Sequence, residues 1–259
     1  MLLSTLPVLA TIATFSSSVI AAATAKPPAF FLAGDSTTAV QSAGGGGWGN
    51  GFIDTTLKNG ATGKNFGHNG ATTVSFRDGG DWDNVLAAVR ASTANYSPYL
   101  TIQFGHNDGK SEKNITMGML TANLVKFVEE ARTAGATPIL VTSVSRRKFS
   151  TSTGKVQESL ADVTAAAKAA ATKSQAAIID LNAASTKYLN SIGSANAATY
   201  NLNPTDFTHM NAQGSVVFGN MVAVLIDAAL PELKNYVVPV KEVADALAAG
   251  KYIFPAVKA

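Results

Sequence analysis

Short apolar runs alternate along the chain with stretches whose apolar residues recur at helical spacing. Residues 29–33, 65–66, 99–104, 138–142 and 177–181 read as five strands, the first cut off by Gly34. Between them, Trp82, Val85, Leu86 and Val89 share one helical face, and Leu120, Leu124, Phe127, Val128 and Ala131 share another. Gly135 stands where a C-cap would end that second helix. Residues 155–174 are Ala-rich and predict a helix. Residues 216–230 are strongly apolar and predict a buried one, with Asn211 as a cap near its start and Pro231 beyond its end. Strands alternating with helices argue an α/β fold, a central parallel sheet with helices on both faces. No repeat and no interdomain linker interrupts the pattern, so residues 26–259 read as one domain. The run Gly44-Gly45-Gly46-Gly47 reads as a flexible loop after the first strand, and residues 240–259 as an added helix and tail of no assigned function.

Composition narrows the class. The chain has 259 residues, long enough for one α/β domain with a large core, and 46% are apolar against 14% charged, which argues against disorder. The first 25 residues carry no charged side chain, are apolar at Leu2, Leu3, Leu6, Val8, Leu9 and Ile12, and close on Ala23-Thr24-Ala25, a small-x-small cleavage pattern. They read as a signal peptide, so the mature protein is expected to be secreted; the competing reading is an uncleaved anchor. No later segment is expected to be long and apolar enough to cross a bilayer. Cysteine is absent, which removes thiol nucleophiles and thiolate metal sites. The net charge of +3 is scattered, which predicts no nucleic-acid partner but tolerates an acidic polymer as substrate. Asn114-Ile115-Thr116 is an N-glycosylation acceptor; Asn95-Tyr96-Ser97 precedes Pro98 and is a poorer one.

Three polar, glycine-flanked motifs follow predicted strands: Gly34-Asp35-Ser36, Gly67-His68-Asn69-Gly70 and Gly105-His106-Asn107-Asp108. In an open parallel sheet the carboxyl ends of the strands form one edge, where ligands bind, so the three are expected to converge. Ser36 is a candidate nucleophile, although alone it suits a helix N-cap equally well. A serine hydroxyl needs a base, and the chain has three histidines: His68, His106 and His209. His209 closes Asp206-Phe207-Thr208-His209, a spacing at which the carboxylate can hold Nδ1 and aim Nε2 at a serine. His106, near Asp108, is the rival base and reads instead as a supporting hydrogen-bonding residue; His68 is either structural or a site-lining residue. The Ser36 N–H, the Gly70 N–H and the Asn107 amide are candidate donors to an oxyanion, though Gly70 alone suits an ordinary turn and Asn107 an Asx-turn.

Together these residues resemble the GDSL, or SGNH, hydrolase family, whose name comes from a nucleophilic Ser, an oxyanion Gly, an oxyanion Asn and a His base. In this chain they would be Ser36, Gly70, Asn107 and His209, in family order, with Asp206 three residues before the histidine. Within the family, Phe31-Leu32-Ala33-Gly34-Asp35-Ser36-Thr37-Thr38, Gly47-Trp48-Gly49 and Gln103-Phe104-Gly105-His106-Asn107-Asp108 are most similar to fungal rhamnogalacturonan acetylesterases. Those enzymes carry disulfides and this chain has no cysteine. The resemblance implies a flavodoxin-like three-layer α/β/α sandwich, no metal, and release of acetate from the acetylated rhamnogalacturonan backbone of pectin. The chain is further expected to need no cofactor and to act as a monomer with no membrane partner. The basic run Arg146-Arg147-Lys148 after the fourth strand offers Arg146 and Arg147 to galacturonate carboxylates, or is a solvated loop. Two alternatives remain at this stage: an esterase of the same family acting on acetylxylan or another small or lipid ester, and a carbohydrate-binding relative without catalysis.

Overall fold

The computed structural model describes Met1 and residues 26–257. The proposed signal peptide lies outside the described residues, apart from Met1. In chain order the elements are β1 (Pro28–Gly34), α1 (Gly49–Thr56), β2 (Thr62–Asn65), α2 (Thr73–Asp78), α3 (Asp81–Ser92), β3 (Ser97–Gln103), α4 (Met117–Thr133), β4 (Thr137–Val141), α5 (Ala161–Ser174), β5 (Ala177–Ile179), α6 (Leu181–Ala198), α7 (Ala212–Ala229) and α8 (Lys241–Ala249). All strand pairs are parallel, in the order β2-β1-β3-β4-β5.

β1 is buried from end to end, because both faces of the sheet are covered and its side chains alternate between two cores. Phe30 and Leu32 pack with Ile139 and Val141 against α1, α6 and α7. Phe31 and Ala33 pack with Leu100, Ile102 and Leu140 against α3, α4 and α5. This is the three-layer α/β/α sandwich that the alternation predicted.

Where boundaries differ, polarity or capping explains it. β2 lies earlier than expected because it is an edge strand, Thr-Gly-Lys-Asn, with an exposed and half-exposed alternation that leaves no apolar run. β5 stops at Ile179 because the Asp180 side chain accepts from the Ala183 N–H and caps α6. α5 begins at Ala161, not 155: Val156 bridges to Phe149, and the Glu158 carboxylate accepts from the Ser159 and Leu160 N–H groups before the helix starts. α7, capped by Asn211, is long and apolar enough to cross a membrane by length and composition, contrary to expectation. Most of it is buried against α1 and the sheet.

The glycine run is a correction too. A Cβ at Gly47 would overlap the Thr37 carbonyl, and one at Gly45 would overlap the Asn69 side chain. The Gly47 N–H donates to the Ala39 carbonyl, and the Gly46 carbonyl accepts from Met210. Glycine serves here to let three backbone segments approach closely, which builds a packed junction where a flexible loop was expected.

Candidate active site

Strand order reverses between β1 and β3, and a crevice opens outside the carboxyl ends of the strands at such a reversal. Register brings the motifs to one level there. Gly34 pairs with Gln103, and Leu32 with Asn65, so Asp35-Ser36, Phe66-Gly67-His68 and Phe104-Asn107 leave the sheet together. The His68 N–H donates to the Gly34 carbonyl, 3.0 Å away.

Ser36 heads a tight turn in which the Thr38 and Ala39 N–H groups both donate to the Asp35 carbonyl. Its Oγ lies 2.7 Å from His209 Nε2. On the far side of the ring, His209 Nδ1 lies 2.8 Å from Asp206 Oδ2. Asp206 Oδ1 also accepts from the Thr208 and His209 N–H groups, at 2.9 and 2.8 Å. Partial burial works to raise the Asp206 pKa, but these three hydrogen bonds and the imidazole win, and it lies below its ordinary value. An ionised carboxylate on Nδ1 fixes the tautomer that leaves Nε2 free to accept a proton from Ser36.

The segment that carries Asp206 and His209 is closed like a hairpin. Asn201 bridges Met210, the Leu202 N–H donates to the His209 carbonyl, and the Met210 N–H donates to the Gly46 carbonyl of the glycine junction.

The other candidate donors sit on loops tied to one another. Asn107 Nδ2 donates to the Ala71 carbonyl at 2.9 Å, which uses one of its two hydrogens. Next to it, the buried Asp108 accepts from both the N–H and the hydroxyl of Thr73 at the start of α2. These contacts tie the segment after Gly70 to the Asn107 turn. Gly70 has φ 79°, a left-handed conformation that disfavours a side chain, and it is exposed.

His106 is placed otherwise. It is 4% exposed, and burial, followed by the nearby Arg146 charge, lowers its pKa to about 3. Its Nδ1 lies 3.5 Å from Thr37 Oγ1 and 3.7 Å from Asp35 Oδ2, behind the serine turn. A ring so reluctant to accept a proton is poorly suited to be the base. The same buried layer holds a chain that the sequence did not reveal. Trp48 Nε1 donates to Gln103 Oε1, Gln103 Nε2 to Thr37 Oγ1, and Thr37 Oγ1 to Asp35 Oδ1. Burial raises the Asp35 pKa against the hydrogen bonds from Thr37. The only signal in the sequence was the polar Gln103 at the end of an apolar strand.

The two arginines divide. Arg146 is half-buried, donates to Thr208 Oγ1 and Ser159 Oγ, and lines a cavity of about 330 Å³ with His106, Lys110, Glu158 and Leu160. Arg147 is 2% exposed and donates to Asn201 Oδ1 and the His209 carbonyl. Burial lowers its pKa to about 10, so it is still a cation at neutral pH. The expectation that Arg147 meets substrate is therefore corrected: its guanidinium is sealed beneath the loop that carries the histidine. On the opposite flank, a shallow hollow is lined by Ala39–Ser42, Gly67, His68 and Asn69.

Comparison with known proteins follows the same residues. A family model described as GDSL-like lipase/acylhydrolase matches residues 32–217. Rhamnogalacturonan acetylesterase RhgT of Bacillus subtilis (strain 168) is 32% identical over 203 residues, which cover 74% of this chain and 84% of RhgT. Among solved structures, the YxiM protein of B. subtilis superposes with a TM-score of 0.68 at 21% identity, over 79% of this chain but only 57% of that one. The acetylxylan esterase Axe2 of Geobacillus stearothermophilus gives 0.56 at 17% identity, over 79% and 94%. At these identities the two structures speak for the fold alone.

Proposed function

The chain belongs to the GDSL-like lipase/acylhydrolase family, and on that premise we propose that it is a serine acetylesterase that deacetylates plant cell-wall polysaccharide, the rhamnogalacturonan backbone of pectin in particular. The observation that carries this reading is the continuous contact Asp206–His209–Ser36, at 2.8 and 2.7 Å. The likeness to RhgT supports the substrate.

In the proposed mechanism His209 Nε2 takes the Ser36 hydroxyl proton as Oγ bonds to the acetyl carbonyl carbon. The carbonyl oxygen becomes an oxyanion, held by the N–H groups of Ser36 and Gly70 and the free hydrogen of Asn107 Nδ2. The intermediate collapses, the bond to the sugar oxygen breaks, and the imidazolium returns its proton to that oxygen. Water, deprotonated by His209, then attacks the acetyl-enzyme, releasing acetate and restoring Ser36. His106 supports the turn from behind. Arg146, which lines the cavity beside His106, is the group assigned to a galacturonate carboxylate.

Secretion belongs to the same proposal, resting on the uncharged leading segment, as does N-glycosylation at Asn114, an exposed residue in a left-handed turn.

The test is acetate release by the purified protein from acetylated rhamnogalacturonan, acetylated xylan and a long-chain ester. Fastest release from rhamnogalacturonan, with an Arg146→Ala variant raising KM on that polymer alone, is the expected outcome. Preference for xylan or for the long-chain ester rejects the assigned substrate while leaving the chemistry, and no hydrolysis of any ester rejects both.

A further inference from the structure

The segment after β4 and the segment that carries Asp206 and His209 are far apart in sequence, yet Arg147 fastens one to the other at three points. Its N–H donates to the Phe207 carbonyl at 2.8 Å, Nη2 to the His209 carbonyl at 2.5 Å, and Nε to Asn201 Oδ1 at 2.7 Å. These acceptors span the hairpin: Asn201 on its rising limb, Phe207 and His209 on its returning limb. Among the described residues no carboxylate lies within ion-pair distance of the guanidinium, the Asp206 charge acts on it only from farther off, and its Nη1 makes no hydrogen bond to protein. Burying an unpaired charge is costly, and a structural arginine would normally be matched by a carboxylate. Here the planar fork is spent on two neutral acceptors, one of them the main-chain carbonyl of the histidine itself.

We propose that Arg147 is a positioning residue for the esterase reaction: its buried guanidinium fixes the His209 main chain so that the imidazole meets Ser36 Oγ at hydrogen-bonding distance. The proposal rests on the assignment of Ser36 and His209 as nucleophile and base. Proton transfer falls off steeply as donor and acceptor are misaligned, so loss of the fork lowers turnover while leaving the acyl group's binding contacts in place.

The experiment compares Arg147→Met, Arg147→Lys and Asn201→Ala with the unaltered protein on a chromogenic acetate ester. Rates are expressed per folded molecule, with the folded fraction read from the thermal unfolding transition of each variant, so that misfolded molecules do not enter. Arg147→Met removes both side-chain donors at similar reach, keeps the main-chain N–H to Phe207, and is expected to lose about tenfold to a hundredfold in kcat, with KM within about twofold. Arg147→Lys keeps the charge and one contact, and its kcat should fall between the two. Asn201→Ala, the milder probe if Arg147→Met does not fold, should lower kcat by a few-fold per folded molecule. Unchanged kcat per folded molecule in Arg147→Met, or a loss that appears only in KM, overturns the proposal. So does a lysine variant no better than the methionine one, or an Asn201→Ala variant with unchanged kcat. Ser36→Ala, run in parallel, separates the two levels: full activity there would sink the site assignment itself, whereas an inactive Ser36→Ala beside a normal Arg147→Met sinks only the positioning role.

Discussion

Two of the histidine–aspartate pairs near the carboxyl edge of the sheet are within hydrogen-bonding distance, and they are close to identical as contacts. His68 Nδ1 lies 2.6 Å from Asp81 Oδ2, and His209 Nδ1 lies 2.8 Å from Asp206 Oδ2. Their surroundings differ. The His68 side chain is 57% exposed and, among the described residues, no hydroxyl bonds its other nitrogen, whereas the His209 side chain is 22% exposed and its Nε2 meets Ser36. Asp81 belongs to the first turn of α3; Asp206 is pinned by two main-chain N–H groups on a hairpin that Arg147, Leu202 and Met210 hold shut. An imidazole–carboxylate contact in water is screened and rearranges easily. The same contact in a fixed, half-dry frame, with a hydroxyl on the remaining nitrogen, is ready for proton transfer. The frame, more than the pair, separates the two.

The sharpest way to break this comparison is to remove each ring in turn. His209→Ala and Ser36→Ala should each lower kcat on an acetate ester by about 10⁴-fold or more, the scale on which serine–histidine units fail. His68→Ala should stay within about twofold, since an exposed pair of this kind contributes little. Comparable losses at positions 68 and 209, read from steady-state kinetics, would erase the distinction.

A smaller effect is expected at the donors. Asn107→Ala should cost roughly 10²- to 10³-fold in kcat, the size of one lost oxyanion donor. A loss below about tenfold would remove Asn107 from that role.

The smallest effect concerns stability and lies outside the site, in a third carboxylate. Glu130 accepts two bonds from Arg77, at 3.1 and 2.8 Å, and one from Trp82 Nε1, at 2.6 Å. Partial burial opposes its ionisation, but these partners hold its pKa below the ordinary value. A depressed carboxylate contributes stability that is complete above the unfolded pKa, about 4.3, and is lost as pH falls through the lower native value. Asp206 shares that direction, whereas Asp35 and Asp108, raised first of all by burial, have the opposite one. Glu130→Gln should therefore melt below the unaltered protein at neutral pH, with the gap narrowing between about pH 5 and pH 3. A gap that stays constant in calorimetry across that range would contradict the assignment.

How much of this could be read from the chain alone depends on burial. β1, β3 and β4 were legible because strands covered on both faces are continuously apolar, and α3 and α4 because only one face of each is. β2 is an exposed edge. α1 is Gly- and Thr-rich, and α6 is a helix of small and polar residues broken at Gly193, so neither announced itself. Ser36, Gly70, Asn107, Asp206 and His209 were legible because short motifs carried them to strand ends or to a three-residue spacing. Arg146 and Arg147 were not separable, since neighbours in an irregular segment have no periodicity to say which one turns inward. Glycine misled for a related reason: at Gly45 and Gly47 the missing side chain admits neighbouring groups, and composition reads that as looseness.

The central claim is that the framed histidine activates Ser36, and it is tested most directly by a serine-directed phosphonate followed by peptide mass mapping. A single adduct on the peptide holding Ser36, formed in step with loss of activity and greatly slowed in His209→Ala but not in His68→Ala, is the expected result. Complete inactivation with Ser36 unmodified, or equal labelling rates in the two histidine variants, would contradict it.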